Sequence, residues 1–401
     1  MLIVKKFGGS SVANKDRIFN VARRCMEDYK KGHGVVVVLS AMGDTTDELL
    51  TLAKSINPEA SKREMDMLLT TGEQVSVSLM AMALQAMGVP AVSLNAYQAK
   101  MNCTSRYSNA RFKRINTERI ENELEAKKIV IVTGFQGVNK HDDYVTLGRG
   151  GSDTTAVALA AALHADKCEI FTDVDGVFTA DPRVVPNARK IDEITYDEML
   201  ELATSGAKVL HSRSVELAKK YGVQMVVRSS LNETEGTTVK EIVKMEKMLI
   251  TGVAADKNTA RISVHGVEDR PGIAFKIFHR LAKNSINIDI ILQSVGRDGT
   301  KDISFTVAQD DLKDALRVLE ENKEVLTIKD VTYNADVAKV AIVGAGMMSN
   351  PGVASQMFEA LFNYGININM ISTSEIRITG LIDEKDVDRA VRAIHEQFSL
   401  A

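Results

Sequence analysis

The run LGRGGSDTTAVALAAAL, Leu147–Leu163, places three glycines, an arginine and an aspartate directly before an alanine-rich helix former. Glycines at a helix N-terminus let backbone N–H groups reach an anion, and the helix dipole favours negative charge there. Arg149 is able to grip a carboxylate through two parallel hydrogen bonds. Ser152 or Asp153 is expected to be the N-cap, being of the residue types that accept a hydrogen bond from the first turn. A purely structural turn is the competing reading. A second run, KKFGGSS, ends a strand at Lys6-Phe7 and continues into Gly8 and Gly9, with a helix expected just after. Its amides and the Lys6 ammonium suit a phosphate; a tight turn with a solvated lysine is the alternative. No G-x-x-x-x-G-K-[ST] loop and no protein-kinase signature is present. Two acidic stretches complete the set. FTDVDGVFTADPR (Phe171–Arg183) carries groups that hold magnesium, orient a lysine or cap turns. In LLTTGEQVS, Glu73 is expected at a glycine turn before a helix, where it either caps or pairs with an ammonium group.

These loops need a scaffold. Up to about residue 230, short β-branched runs alternate with helical patterns, which predicts a largely parallel sheet covered on both faces. In such sheets ligands bind beyond the carboxyl ends of the strands. A charged boundary follows, and then a duplication: RPGIAFKIFHRLAKNSINIDIILQS from Arg270 and NPGVASQMFEALFNYGININMISTS from Asn350 align without a gap. Each copy predicts the β-α-β-β-α-β plan. The strand in LITGVAADKNTARISVHG is expected to cross over and complete the other copy.

Composition removes other classes. A net charge of −3 argues against a dedicated nucleic-acid binder. Cys25, Cys103 and Cys168 form no C-x-x-C pair, so neither a disulfide framework nor a zinc site is expected. No signal peptide and no membrane span is read, and the expectation is a reduced, cytoplasmic protein.

Together KFGGSS, SAMGDTTDEL, LLTTGEQVS, GFQGV, LGRGGSDTTA, TDVDGVFTADPR and the paired PG…NI…S modules resemble aspartate kinases along essentially the whole chain. The resemblance implies an amino-acid-kinase catalytic domain over residues 1–245 and ACT domains over 246–335 and 336–401, with soft boundaries. It implies phosphorylation of the L-aspartate β-carboxylate by ATP with Mg2+, and feedback regulation by lysine, threonine or both in a homodimer or higher oligomer formed through the ACT domains. Lys6 and Asp153 are then the catalytic pair. Arg149 and Glu73 hold aspartate, with Ser40, Thr46, Phe135, Gly150, Gly151 and Ser152 around it. Lys6, Phe7, Gly8, Gly9, Thr172, Asp173, Phe178, Asp181, Arg183 and Lys208 meet ATP. Phe178 stands where tyrosine is frequent, so any hydroxyl contact there is lost. Effectors would meet Asp269, Gly272, Ala274, Asn287, Ile288 and Gln293 in the first copy, and Val353, Ala354, Asn367, Ile368 and Asn369 in the second. No protein ligand to the metal is expected.

Three other readings compete. An acetylglutamate or nucleotide kinase of the same fold lacks a use for Arg149 together with Glu73. A non-catalytic sensor would not need Lys6 and Asp153. A dinucleotide-binding fold suggested by VGAGMMS sits inside the second repeat and lacks the acidic residue that should follow.

Overall fold

The computed structural model describes residues 1–242, 249–294, 299–348 and 350–401, except the side chain of Met348. The expected boundary at 245/246 lies outside the described residues. Two compact units are formed: Met1–Val177, Lys190–Ala203 and Lys208–Met245 make the first, and Phe178–Arg189, Thr204–Ala207 and Glu246–Ala401 the second. Two short segments from within the expected catalytic stretch therefore belong to the second unit.

The first unit is built on an eight-stranded sheet. Its order is Glu193–Thr195, Thr237–Lys240, Met225–Ser229, Lys167–Thr172, Leu2–Phe7, Gly34–Leu39, Ile129–Thr133, Ala91–Leu94. Pairing is parallel except between Met225–Ser229 and Thr237–Lys240. The central strands are continuous apolar runs because both faces are covered: Val35 to Leu39 are all buried. Phe7 stacks on Phe171 with ring centroids 4.3 Å apart, inside a core that also takes Val21, Val37, Val77, Met80 and Leu84. The first strand lies between the second strand and Lys167–Thr172, so the chain winds away from it in both directions. That is the switch point at which α/β sheets open a crevice.

Two local expectations are corrected. The glycines after Phe7 lead into a 3-10 turn, Gly9–Val12, and the α-helix begins only at Lys15, where Asn14 accepts the Arg17 N–H at 3.1 Å. Gly72 and Glu73 do not form a turn; both are buried inside the 25-residue helix Lys62–Ala86. Gly72 is needed there because a Cβ would stand 2.8 Å from the Ala41 Cβ. By length and composition this helix passes as a membrane span, yet 56% of its apolar window is buried, which marks a core helix.

In the second unit the duplicated modules share one six-stranded sheet. The 17-residue strand Gly252–Glu268 serves both. Its second half pairs with Thr300–Val307 of the first copy. Its first half, Gly252–Asp256, lies against Lys339–Val343 of the second. Ile250 and Val253 accordingly sit in the core of the second copy, with Val340, Met357 and Ile394. The first copy has its own core around Ile262, Ile277, Phe305 and Leu319.

Candidate active site

Strand alternation sends Lys5 and Lys6 to opposite faces of the sheet. Lys5 is locked by Asp28 at 2.5 Å and Glu169 at 3.1 Å. Lys6 turns toward the helix Gly151–Ala162 and pairs with Asp153 at 2.6 Å. Of the two lysines Lys6 is the one able to trade its partner for an incoming anion, because Lys5 answers two carboxylates, one buried and one half-buried.

The expected N-cap is corrected. The helix starts at Gly151, and its cap is Gly150, at φ 66° and without a side-chain cap bond. A Cβ on Gly150 would fall 2.2 Å from His211 and would also strain a left-handed backbone. Ser152 and Asp153 therefore occupy the first turn, with side chains released from capping. Ser152 Oγ accepts from Ser40 Oγ at 3.0 Å, while Asp153 takes Lys6. The helix N-terminus is left with amides that no side chain covers.

Glu73 approaches from the long helix. Its Oε1 accepts the Ala41 N–H at 3.2 Å, and Ser76, one turn on, donates to the Ser40 carbonyl at 2.8 Å. Its Oε2 is buried with no hydrogen-bond partner. Burial lifts the Glu73 carboxyl from 4.5 to about 7. An orphaned buried carboxylate oxygen of this kind asks for a donor, and a cation is the strongest one. Lys6, Asp153, Ser152, Ser40 and Glu73 thus form one connected wall at the carboxyl ends of the strands.

Arg149 stands exposed in the turn before the helix. Phe135 has a positive φ of 66°. Its N–H reaches Thr155 Oγ1 at 3.2 Å, and its carbonyl takes the Leu147 N–H at 2.8 Å. Thr46 is half-buried in the first turn of Thr45–Ile56. Gly9 lies under Gly43, whose N–H it accepts at 3.1 Å. Phe7 is wholly buried, so only its backbone is available to a ligand. Thr172 donates to Asp173 at 3.1 Å, and Lys208 is exposed. Phe178, Asp181 and Arg183 fall in the second unit, where Arg183 pairs with Asp181 at 2.6 Å.

Three residues that hold or abut the loop before this helix are missing from the sequence-based expectations. His211 abuts Gly150, and burial lowers its pKa while the Asp153 charge opposes that shift. Arg213 donates to the carbonyls of Leu147 at 3.0 Å and Ala110 at 2.8 Å, fixing the loop that leads to Arg149. Buried Asp66 accepts the N–H groups of Thr146 and Ser108. None lies in a glycine motif; an aspartate on the apolar face of a helix was the one readable sign. Among the described residues no cluster of three or more His, Cys, Asp or Glu is arranged to hold a metal.

In the second unit, Gly272 and Gly352 are the left-handed N-caps of Ile273–Lys283 and Val353–Asn363, again without side-chain caps. Ala274 and Ala354 follow, half-buried. Asp269 is paired with Lys301 at 2.9 Å. Asn287 and Ile288 line a cavity of about 230 Å³ with Asp256, Asp289 and Lys339. Gln293 lies on an edge strand and Asn367 is exposed. Val353 and Ile368 pack into or against the core, so their side chains are committed. Asn369 donates to Asp383 at 3.2 Å.

Comparison with known proteins identifies both halves of the chain. The amino acid kinase family model matches residues 1–229, and an ACT domain model matches 262–322 and 340–398. An aspartokinase of Bacillus sp. strain MGA3 is 52% identical, covering 100% of this chain and 98% of its own. E. coli aspartokinase III solved with aspartate and ADP, described as an R-state, is 26% identical with a TM-score of 0.85, covering 99% of both chains. The same enzyme with lysine and aspartate, described as a T-state, gives 27% and 0.74, with the same coverage. The chain belongs to the aspartokinases of the amino acid kinase family, which transfer the γ-phosphoryl group of ATP to the β-carboxylate of L-aspartate under ACT-domain regulation.

Proposed function

We propose the following division of labour for that reaction. The nucleophile is a carboxylate, ionised at neutral pH, so no general base is required. The task is to bring two anions together and neutralise charge while the phosphoryl group moves. Lys6 supplies that charge, Gly8 and Gly9 offer amides, and Asp153 orients Lys6. Arg149 takes the α-carboxylate of aspartate and Glu73 its ammonium group, with Ser40, Thr46, Phe135, Gly150, Gly151 and Ser152 shaping the pocket. Thr172, Asp173, Phe178, Asp181, Arg183 and Lys208 serve ATP. The ATP phosphates, rather than a protein side chain, would hold Mg2+, which would supply charge shielding there. The buried, partnerless Oε2 of Glu73 carries the substrate assignment, since it calls for a free amine. Hydroxylamine trapping of the acyl phosphate tests it: aspartate should yield the hydroxamate and N-acetylaspartate should not.

Glu73 also sets a pH dependence. Its folded pKa lies above the unfolded value, so its contribution to stability is complete below about 4.5 and is lost as pH rises through about 7. The loss for the free enzyme is on the order of 3 kcal/mol at most. Binding an ammonium group reverses the preference and expels a proton. The KM for aspartate should therefore climb as pH falls below about 7, by up to roughly tenfold per unit. The Glu73→Gln variant should show a high KM without that slope. Calorimetry in buffers of different ionisation enthalpy would detect the proton released.

The ACT copies are read as the seat of feedback by lysine, threonine or both, whose carboxylate suits the uncapped helix N-termini behind Gly272 and Gly352. The lysine-bound relative supports the first of these effectors. The edge strands Ile291–Gln293 and Met370–Thr373 end the shared sheet and offer pairing to a second copy, which favours a homodimer. Three free, buried cysteines fit a cytoplasmic enzyme. Gln293→Ala or Asn367→Ala should shift the inhibition curves for lysine and threonine to higher concentration while uninhibited turnover stays within about twofold. Unchanged curves would remove these residues from effector binding.

A further inference from the structure

Arg213 lies in the first turn of the helix Ser212–Tyr221, inside the first unit. Its guanidinium is spent on two backbone carbonyls: Nη1 donates to Leu147 at 3.0 Å and Nη2 to Ala110 at 2.8 Å. Ala110 belongs to the loop between the strands Met101–Cys103 and Phe112–Ile115. Leu147 opens the turn Gly148-Arg149-Gly150 that leads into the helix Gly151–Ala162. The two loops are also tied to each other. The Ala110 N–H reaches the Thr146 carbonyl at 2.9 Å, and buried Asp66 accepts the N–H groups of Ser108 at 2.8 Å and Thr146 at 2.9 Å.

The turn needs such support. Gly148 and Gly150 flank Arg149 with φ of 81° and 66°, and glycines on both sides would let an exposed arginine swing. What limits the swing is the first turn of that one helix. At Leu147 the carbonyl is held by Arg213 and the N–H by the Phe135 carbonyl at 2.8 Å. At Gly150 the chain lies on His211, where a Cβ would fall 2.2 Å from the ring carbon Cγ. His211 caps the same helix, its Nδ1 accepting the Arg213 N–H at 3.4 Å. A charged group is costly in this place: burial and the nearby Arg111 charge both lower the Arg213 pKa. Only a guanidinium has the rigid fork that reaches two carbonyls at once, and its charge adds to a field that favours an anion beside Arg149. Resting on the assignment of Arg149 to the α-carboxylate of aspartate, we propose that Arg213 is a positioning residue for that substrate, aiming Arg149 by holding the Leu147 and Ala110 carbonyls in one fork. The loop around Ala110 thereby takes part in aspartate recognition.

The test is a double-mutant cycle on the full chain. Arg213→Met keeps the aliphatic stem and removes both bonds. The KM for aspartate should rise about tenfold, while kcat and the KM for ATP stay within about twofold. Arg213→Lys keeps the charge without the fork, should fall between wild type and the methionine variant, and guards against misfolding of the latter. In an Arg149→Ala background, Arg213→Met should change kcat/KM for aspartate by less than about twofold, because the side chain it acts through is already gone. If Arg149→Ala raises the aspartate KM but the Arg213 variants do not, the positioning role is overturned and the assignment of Arg149 survives. If Arg149→Ala leaves that KM unchanged, the assignment fails and takes the inference with it. A full tenfold loss from Arg213→Met in both backgrounds would overturn the route through Arg149. Equal rises in both KM values, or a lowered Tm alone, would show that Arg213 serves only the fold.

Discussion

Lys6→Met is expected to lower kcat by about 10²–10³-fold or more with native circular dichroism, because in the proposed division of labour it deletes the positive charge that meets the transferring phosphoryl group. The structure sharpens this expectation. Lys6 is paired with Asp153 at 2.6 Å, so the substitution leaves a largely buried carboxylate without its cation, next to two anionic substrates. The loss should exceed that of a simple contact for this reason. The pairing also predicts that Asp153→Asn is milder than Lys6→Met, since the ammonium remains. Lys5→Met is the control. It removes the partner of Asp28 and Glu169 on the other face, and should lower Tm with kcat nearly intact. Near-normal turnover in the Lys6 variant would exclude Lys6 from the chemistry.

Arg149→Ala should raise the KM for aspartate by roughly 30- to 150-fold, the equivalent of about 2–3 kcal/mol for the bidentate charged contact proposed for it. The KM for ATP should stay within a few-fold. Arg149 is exposed, and the loop beneath it is held by Arg213 and Asp66 rather than by its own side chain. Its removal therefore costs recognition and not structure. Equal shifts for both substrates would assign this loop to the nucleotide.

The parallel sheet and the duplicated modules were legible because they rest on signals that repeat: apolar strands alternating with helices, and Pro-Gly helix starts at matching places in both copies. The glycine loops and the Lys6–Asp153 and Glu73 groups were legible as chemistry. Their local settings were less so. Gly72 before Glu73 reads as a turn, whereas packing against Ala41 is what that glycine serves. Ser152 and Asp153 looked like caps because capping is what their types usually do in water; here Gly150 caps instead and the two side chains turn to Ser40 and Lys6. His211 and Arg213 stayed hidden because each acts across some sixty residues of sequence on the loop before the helix. No local pattern encodes such a meeting. The membership of Phe178–Arg189 in the second unit escaped for the same reason.

The strand Gly252–Glu268 has a consequence for how this chain comes into being. The first strand of the second ACT copy is synthesised before any of the first copy, and its neighbour, Lys339–Val343, emerges only after the whole intervening module. That pairing closes a loop of about eighty residues, and the entropy of closure has to be met before its contacts contribute. During translation the first copy has all its elements early, whereas Gly252–Asp256 waits with an open edge. An edge that waits is available to other chains. Expression that outruns folding should thus produce aggregates seeded from this strand, and a chain cut between the two copies should be worse than one lacking both. The shared strand should thus couple the folding of the two copies in spite of their separate cores.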